Sequence, residues 1–192
     1  MVAPTRLTWI CHAATAATRQ AAFPGDEVIE DRQHAAAHAL ASEIGAHDRI
    51  FVAPERRTRQ TAEALGLAAS VDPDLRDCDY GRWSGRSLAD LSEAEPDALS
   101  AWLAEPDVAP PGGESVADTI RRMAAWLDRH AGDATRLVAV SHPAVIRAAV
   151  VHVLEAPATS FWRIGVAPLG LVRLSHDGRR WTLMAGSRSR AP

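Results

Sequence analysis

Short apolar segments alternate with helical segments along most of this chain, and this alternation restricts its fold more than any other feature. Runs of strand-forming residues occur at 7–11, 49–53 and 137–140, and segments with apolar residues at helical spacing lie between and after them. Parallel strands need a crossover of a dozen or more residues, usually a helix. The pattern therefore predicts an α/β fold, a three-layer α/β/α sandwich with a mostly parallel central sheet.

The rest of the chain fits one domain. We expect helices at 31–44, 54–65, 88–91, 96–103, 114–129 and 143–154. Weaker strand signals occur at Val71 and at residues 161–166, 170–174 and 181–184. Residues 13–30 are predicted to be a loop with one helical turn, and 72–85 a loop. The basic tail at 188–190 is interpreted as a frayed terminus. No repeat or linker is visible, so we expect a single domain over residues 1–192.

The composition excludes several function classes. All 21 Lys+Arg residues are arginine, and the absence of lysine excludes a Schiff-base enzyme, a P-loop protein and a protein kinase. The formal net charge of −3 provides no basic field, so we expect neither a nucleic acid nor a membrane as partner. Two cysteines without zinc spacing, and no signal-peptide pattern, favour a cytoplasmic protein.

Two of the eight histidines stand directly after predicted strands. His12 follows the first run, and His142 follows the run at 137–140. Ligands of open α/β sheets bind beyond the carboxyl ends of the strands, where helix N-termini favour anions. Arg57 also follows a strand, and its guanidinium is suited to phosphate oxygens. These three residues therefore point to a pocket for a phosphate dianion.

Five motifs occur in the chain in the following order: Cys11-His12-Ala13, the segment 53–63 (APERRTRQTAE), the segment 75–85 (LRDCDYGRWSG), Pro111-Gly112-Gly113-Glu114-Ser115 and Val140-Ser141-His142. Together they resemble the histidine phosphatase superfamily, also called phosphoglycerate-mutase-like. The resemblance extends from about residue 7 to residue 174.

The resemblance implies a role for each matching residue. His12 would attack phosphorus and form a phosphohistidine, while Arg57 and His142 would bind the phosphoryl oxygens and stabilise their charge in the transition state. Asp77 would be the proton donor and acceptor, with Asp79 and Glu114 as alternatives. Thr18 stands where an asparagine often occurs. The implied activity is hydrolysis of a small-molecule phosphate monoester, without a metal or other cofactor.

The sequence departs from the family pattern in two of these motifs. Arg-His-Gly is replaced by Cys11-His12-Ala13, and Ser-His-Gly-Gly is replaced by a sequence with Pro143, which has no N–H. We expect Cys11 and Thr18 to line the substrate site. Another arginine is a candidate to replace the missing one: Arg19, Arg76, Arg82 or Arg147. Four others are expected on solvated helix faces: Arg56, Arg59, Arg121 and Arg122.

Two function classes follow from these departures. The first is a phosphatase whose activity is weakened by the altered motif. The alternative is a catalytically impaired member that binds a phosphorylated ligand or partner without turnover. A phosphoglycerate mutase ranks last, because the chain shows no insertion that would enclose a bisphosphate.

Overall fold

The computed structural model describes residues 3–185, which form a six-stranded sheet between two layers of helices. The strands are β1 (Thr5–Cys11), β2 (Arg49–Val52), β3 (Ser70–Val71), β4 (Arg136–Ser141), β5 (Leu171–His176) and β6 (Trp181–Met184). Their order is β3-β2-β4-β1-β5-β6. Strands β1 to β4 pair in parallel, and β5 is antiparallel to both of its neighbours. The predicted α/β/α sandwich with a mostly parallel sheet is confirmed.

The α-helices of the described residues lie close to the predicted helices, except the first, which is a short helix within the predicted loop at 13–30. They are α1 (Ala16–Gln20), α2 (Gln33–Ile44), α3 (Arg56–Ala64), α4 (Leu88–Ala94), α5 (Pro96–Ala104), α6 (Val116–Arg129) and α7 (Pro143–Val153). Ser115 caps α6, because its hydroxyl accepts a hydrogen bond from the Asp118 N–H. Pro143 occupies the first turn of α7, where a missing N–H breaks no helical hydrogen bond. None of the helices within residues 3–185 is both long and apolar enough to cross a membrane.

The central strands are buried on both faces, and alternate residues contact different helix layers. Leu137 and Ala139 of β4 belong to the cluster that includes residues of α6 and α7, whereas Val138 and Val140 belong to the cluster that includes residues of α2 and α3. Such strands appear in a sequence as continuous apolar runs. This explains why the run at 137–140 is the clearest strand signal in the chain.

The strand predicted at residues 161–166 is wrong. Ala158–Arg163 form a 3-10 helix instead, with Phe161 buried in the core. The ring centroid of the next residue, Trp162, is 4.4 Å from that of Trp102 and 4.8 Å from that of Phe161. Successive residues of a strand point to opposite faces, so a strand does not bring two adjacent aromatic rings into one cluster. The basic tail at 188–190 lies outside the described residues.

The predicted loop at 72–85 contains two 3-10 turns, Pro73–Leu75 and Gly81–Trp83, and several side chains fix its position. Ser141 at the end of β4 donates a hydrogen bond of 2.8 Å to Leu75 O. Arg122 of α6 donates to the carbonyl oxygens of Asp74, Arg76 and Asp77. The prediction that Arg122 lies on a solvated helix face is wrong, because its side chain is only 10% exposed. The loop that carries Asp77 is therefore attached to both β4 and α6.

Candidate active site

His12 and His142 lie side by side at the carboxyl edge of the sheet. Cys11 of β1 is in register with Ser141 of β4, so the next residues of the two strands are neighbours. The His12 N–H donates to Ser141 O at 2.9 Å, and the two imidazole centroids are 5.3 Å apart. The parallel pairing of β1 and β4 thus brings together two residues that are 130 positions apart in the sequence.

The His12 imidazole is buried and neutral. Its Nδ1 lies 2.8 Å from Ala13 O, and because a carbonyl only accepts, the proton is on Nδ1 and Nε2 keeps its lone pair. Burial lowers the pKa of His12 to about 3, with further lowering from His142 and Arg57. At neutral pH the ring therefore presents an unprotonated nitrogen, which is the form that acts as a nucleophile.

Arg57 is completely buried, and protein groups accept hydrogen bonds from all three of its nitrogens. Nη1 donates to Gly25 O at 2.5 Å, Nη2 donates to Asp77 Oδ2 at 2.7 Å, and Nε donates to His142 Nδ1 at 3.3 Å. The Asp77 carboxylate therefore occupies an N–H donor of the guanidinium that could otherwise bind an oxyanion.

Glu55 lies beside His142 and Asp77, although no role was predicted for it from the sequence. Arg57 donates to His142 Nδ1, so the His142 proton is on Nε2, which donates to Glu55 Oε2 at 2.8 Å. Glu55 Oε1 accepts a hydrogen bond of 3.0 Å from the Asp77 N–H. Burial acts to raise the pKa of Glu55, but these two hydrogen bonds outweigh it and lower the pKa to about 2. One feature of the sequence could have indicated Glu55. It is an acidic residue just after the predicted strand at 49–53 and two positions before Arg57.

Two cavities meet at Asp77. The larger has a volume of about 470 Å³, and its wall includes His12, Thr18, Asp77 and Arg147. The smaller has a volume of about 310 Å³ and is lined by Glu55, Arg57 and Asp77, among others. Asp77 lines both, and its ion pair joins it to Arg57, which lines the smaller cavity.

Cys11 and Thr18 have different relations to the larger cavity. The exposed Thr18 lies on its wall, with a hydroxyl 3.2 Å from that of Thr15. Cys11 is fully buried in the core cluster and is not part of this wall. Burial raises the pKa of the Cys11 thiol to about 12. The structure therefore gives a molecule in the cavity access to Thr18 but not to Cys11.

The geometry also separates the three candidate proton donors. Asp77 is 8% exposed and lies on the wall of the cavity that contains His12. Asp79 is exposed and accepts a hydrogen bond from the Gly81 N–H, and Glu114 is paired with Arg122 at 2.8 Å. Neither of these two residues lines the larger cavity. Of the three, Asp77 is the one that shares a cavity with His12.

Among the four arginines considered as replacements, Arg147 alone lines the cavity with His12. Its Nε donates to Ile164 O at 2.8 Å, and within residues 3–185 no carboxylate lies within ion-pair distance of it. The other three arginines are paired with Glu30, Glu114 and Glu95, respectively. The terminal guanidinium nitrogens of Arg147 are therefore available to a ligand.

Comparisons with known proteins agree with this arrangement. The family model described as "Histidine phosphatase superfamily (branch 1)" matches residues 7–187, and the chain belongs to this superfamily. The Mycobacterium tuberculosis protein named bifunctional protein Rv2228c is 30% identical over 188 residues, covering 91% of this chain and 52% of that protein. The chain therefore spans about half the length of this relative.

Two further relatives cover a larger share of their own length. Phosphoserine phosphatase 1 of Hydrogenobacter thermophilus is 30% identical over 151 residues, which cover 73% of this chain and 71% of the relative. The structure of mycobacterial glucosyl-3-phosphoglycerate phosphatase Rv2419c with VO3 is similar with a TM-score of 0.81 and 27% identity. That similarity covers 93% of this chain and 96% of the other.

The buried His12 predicts a specific acid sensitivity. Its pKa is about 3 in the folded protein and about 6.5 in an unfolded chain. Between these values the unfolded chain binds a proton that the folded protein does not, so stability falls as the pH falls. In urea titrations, His12→Gln should lose about 2 kcal/mol less than the wild type between pH 7.5 and pH 5. His34→Gln, at an exposed position on α2, is the control; an equal loss in all three proteins would contradict the assignment.

The position of Glu55 predicts a loss of stability in Glu55→Gln at pH 7. An amide retains one oxygen, so either the His142 ring or the Asp77 N–H loses its acceptor, and the free energy of unfolding should fall by about 1–3 kcal/mol. Glu63→Gln, at an exposed position of the same helix α3, should change it by less than about 0.5 kcal/mol. Equal stability of the two variants in chemical denaturation would show that Glu55 does not hold the cluster together.

Proposed function

We propose that this chain is a metal-independent phosphatase that hydrolyses a small-molecule phosphate monoester through a phosphohistidine on His12. The observation that carries the proposal is the His12 imidazole, which is neutral and lies on a cavity wall together with the acid Asp77 and the unpaired Arg147. Phosphoryl transfer depends on positioning and positive charge more than on other chemistry. The chain's own arginines and histidines supply both.

In the first step, His12 Nε2 attacks phosphorus and the bond from phosphorus to the ester oxygen breaks. Asp77 gives its proton to the departing oxygen, so an alcohol leaves. In the second step, water attacks the phosphohistidine, Asp77 takes a proton from that water, and orthophosphate is released with His12 neutral again. Atoms and protons balance over the cycle.

Arg57 enters this cycle by exchanging partners. Its Nη2 donates to Asp77 in the structure, and a phosphoryl group would take that position. Asp77 would then lose the cation that favours its charged form and would lie beside a phosphate dianion. Both changes favour protonation of the carboxyl group. Substrate binding would thus convert Asp77 into the acid that the first step needs.

A second function retains support from two observations. The buried Cys11 cannot supply the charge of the arginine implied by the resemblance, and Glu55 adds a carboxylate beside His142. Both changes reduce the positive charge that would stabilise a phosphoryl transition state, so they favour the alternative of an impaired member. Such a member would bind a phosphorylated ligand or partner through Arg57, His142 and Arg147 without turning it over.

The two functions are separated by an activity assay with a trapping step. We expect hydrolysis of p-nitrophenyl phosphate in the presence of EDTA, and a loss of more than about 1000-fold in His12→Ala, because the nucleophile is removed. His34→Ala should retain full activity. A rapid acid-free quench should give base-stable, acid-labile phosphate on His12. No hydrolysis of any phosphate ester, together with binding of orthophosphate, would leave the binding function in place of the enzyme.

Arg147 is expected to carry part of the lost arginine's role. Arg147→Ala should lower kcat/KM by about 30- to 1000-fold, the usual effect of removing a charged transition-state donor. Arg147→Lys should recover part of this loss, because it restores the charge but not the planar fork. Arg121→Ala, an exposed position on α6, serves as the control. Steady-state kinetics that show no change in Arg147→Ala would remove Arg147 from the site.

A further inference from the structure

The cavity that contains His12 has an aromatic wall. Phe23 and Trp102 have ring centroids 5.2 Å apart, Trp102 and Trp162 are 4.4 Å apart, and Trp162 and Phe161 are 4.8 Å apart. All four rings line the cavity. The guanidinium carbon of Arg147 lies 5.7 Å from the centroid of Phe161 and 6.0 Å from that of Trp162. A continuous aromatic surface therefore extends from Phe23 to Arg147.

Two leucines add to this apolar surface where the cavity meets solvent. Leu88 at the start of α4 is 39% exposed and Leu103 near the end of α5 is 47% exposed, and both line the cavity. Exposed leucines that border a cavity lose contact with water when an apolar group fills it, and this burial is favourable. The same leucines gain nothing from a hydrated polar group.

Charged groups on the cavity wall are few. Among the described residues that line it, Asp77 and Arg147 are the charged ones, His12 is a neutral imidazole, and Cys78 and Tyr80 are the other ionisable side chains. Burial raises the pKa of Cys78 to about 12 and that of Tyr80 well above 10, so both remain neutral. The proposed reaction uses His12, Asp77 and Arg147 at phosphorus or at the ester oxygen. None is left to pair with a carboxylate or an ammonium on the alcohol part of the substrate.

We infer that the substrate is a phosphate monoester of an apolar alcohol, with a hydrocarbon or aromatic group that fills the cavity beside His12. The inference rests on the proposed function for the reacting end and on the aromatic wall for the other end. A volume of about 470 Å³ lies within the range of sites that enclose small organic ligands. Flat apolar groups also stack favourably on aromatic rings.

A homologous series of substrates tests the inference on the wild-type protein. Each methylene that becomes fully buried contributes about 0.8 kcal/mol, which corresponds to about fourfold in kcat/KM. From ethyl to butyl to hexyl phosphate we therefore expect an increase of about 15-fold per step until the cavity is full. Phosphoserine and 3-phosphoglycerate should be poorer substrates than butyl phosphate. A flat series, or a preference for either polar ester, would overturn the inference while the phosphatase proposal stands.

Binding of alkylphosphonates, measured by calorimetry, separates this inference from the proposed function. Phosphonates are not hydrolysed, so their affinities do not require catalysis. If the protein hydrolyses nothing and affinity still rises about 15-fold from ethyl- to butylphosphonate, the apolar ligand class stands and the phosphatase proposal fails. If affinity is independent of chain length, the apolar ligand class is wrong whether or not the protein is an enzyme.

Two substitutions locate the effect. In Leu88→Ser/Leu103→Ser, the advantage of hexyl phosphate over ethyl phosphate should fall by at least tenfold, because the apolar surface at the mouth is lost. Both positions are exposed, so the fold should tolerate serine. Leu154→Ser, a 52% exposed position after the end of α7, is the matched control and should leave the advantage unchanged. An unaltered advantage in the double variant would place the hydrocarbon elsewhere and overturn the inference.

Discussion

The site depends on one buried charge, the Arg57 guanidinium. A charge that is removed from water must be paired and hydrogen-bonded, and Arg57 obtains its acceptors from three separate parts of the chain. Gly25 O comes from the segment after α1, Asp77 from the segment after Pro73–Leu75, and His142 from the end of β4. The cation therefore fixes the relative positions of these segments. The same requirement explains the position of Asp77, whose carboxylate is the anionic partner of the arginine.

Much of the fold is readable from the sequence because the central strands are buried on both faces and appear as apolar runs. The juxtaposition of His12 and His142 follows from the same runs, since both residues extend parallel strands at one edge. The 3-10 helix Ala158–Arg163 was not predicted. It forms because Phe161 and Trp162 pack in an aromatic cluster with residues that are distant in the sequence. Short-range periodicity carries no information about such partners.

The functional details depend still more on distant contacts. No sequence motif indicates a role for Glu55. Its role in the site depends on a hydrogen bond with the His142 imidazole, which is 87 positions away in the sequence. Four arginines were equal candidates in the sequence, and Arg147 differs from the other three in two ways. It lines the cavity with His12, whereas the others are paired with Glu30, Glu95 and Glu114. The charged side chains can be read from the sequence, but which of them form ion pairs depends on the fold.

In the proposed function, the anion site and the apolar cavity contribute differently to substrate binding. An arginine is absent at Cys11 and a carboxylate is present at Glu55, so the phosphoryl end of a substrate would meet less positive charge than the resemblance implies. Binding energy from parts of a substrate that do not react is able to offset a cost at the reacting centre. The aromatic wall and the exposed leucines provide such energy for an apolar alcohol group. In the proposed enzyme, a weakened anion site and an apolar cavity would be two halves of one specificity, since a small charged phosphate ester would gain little from either.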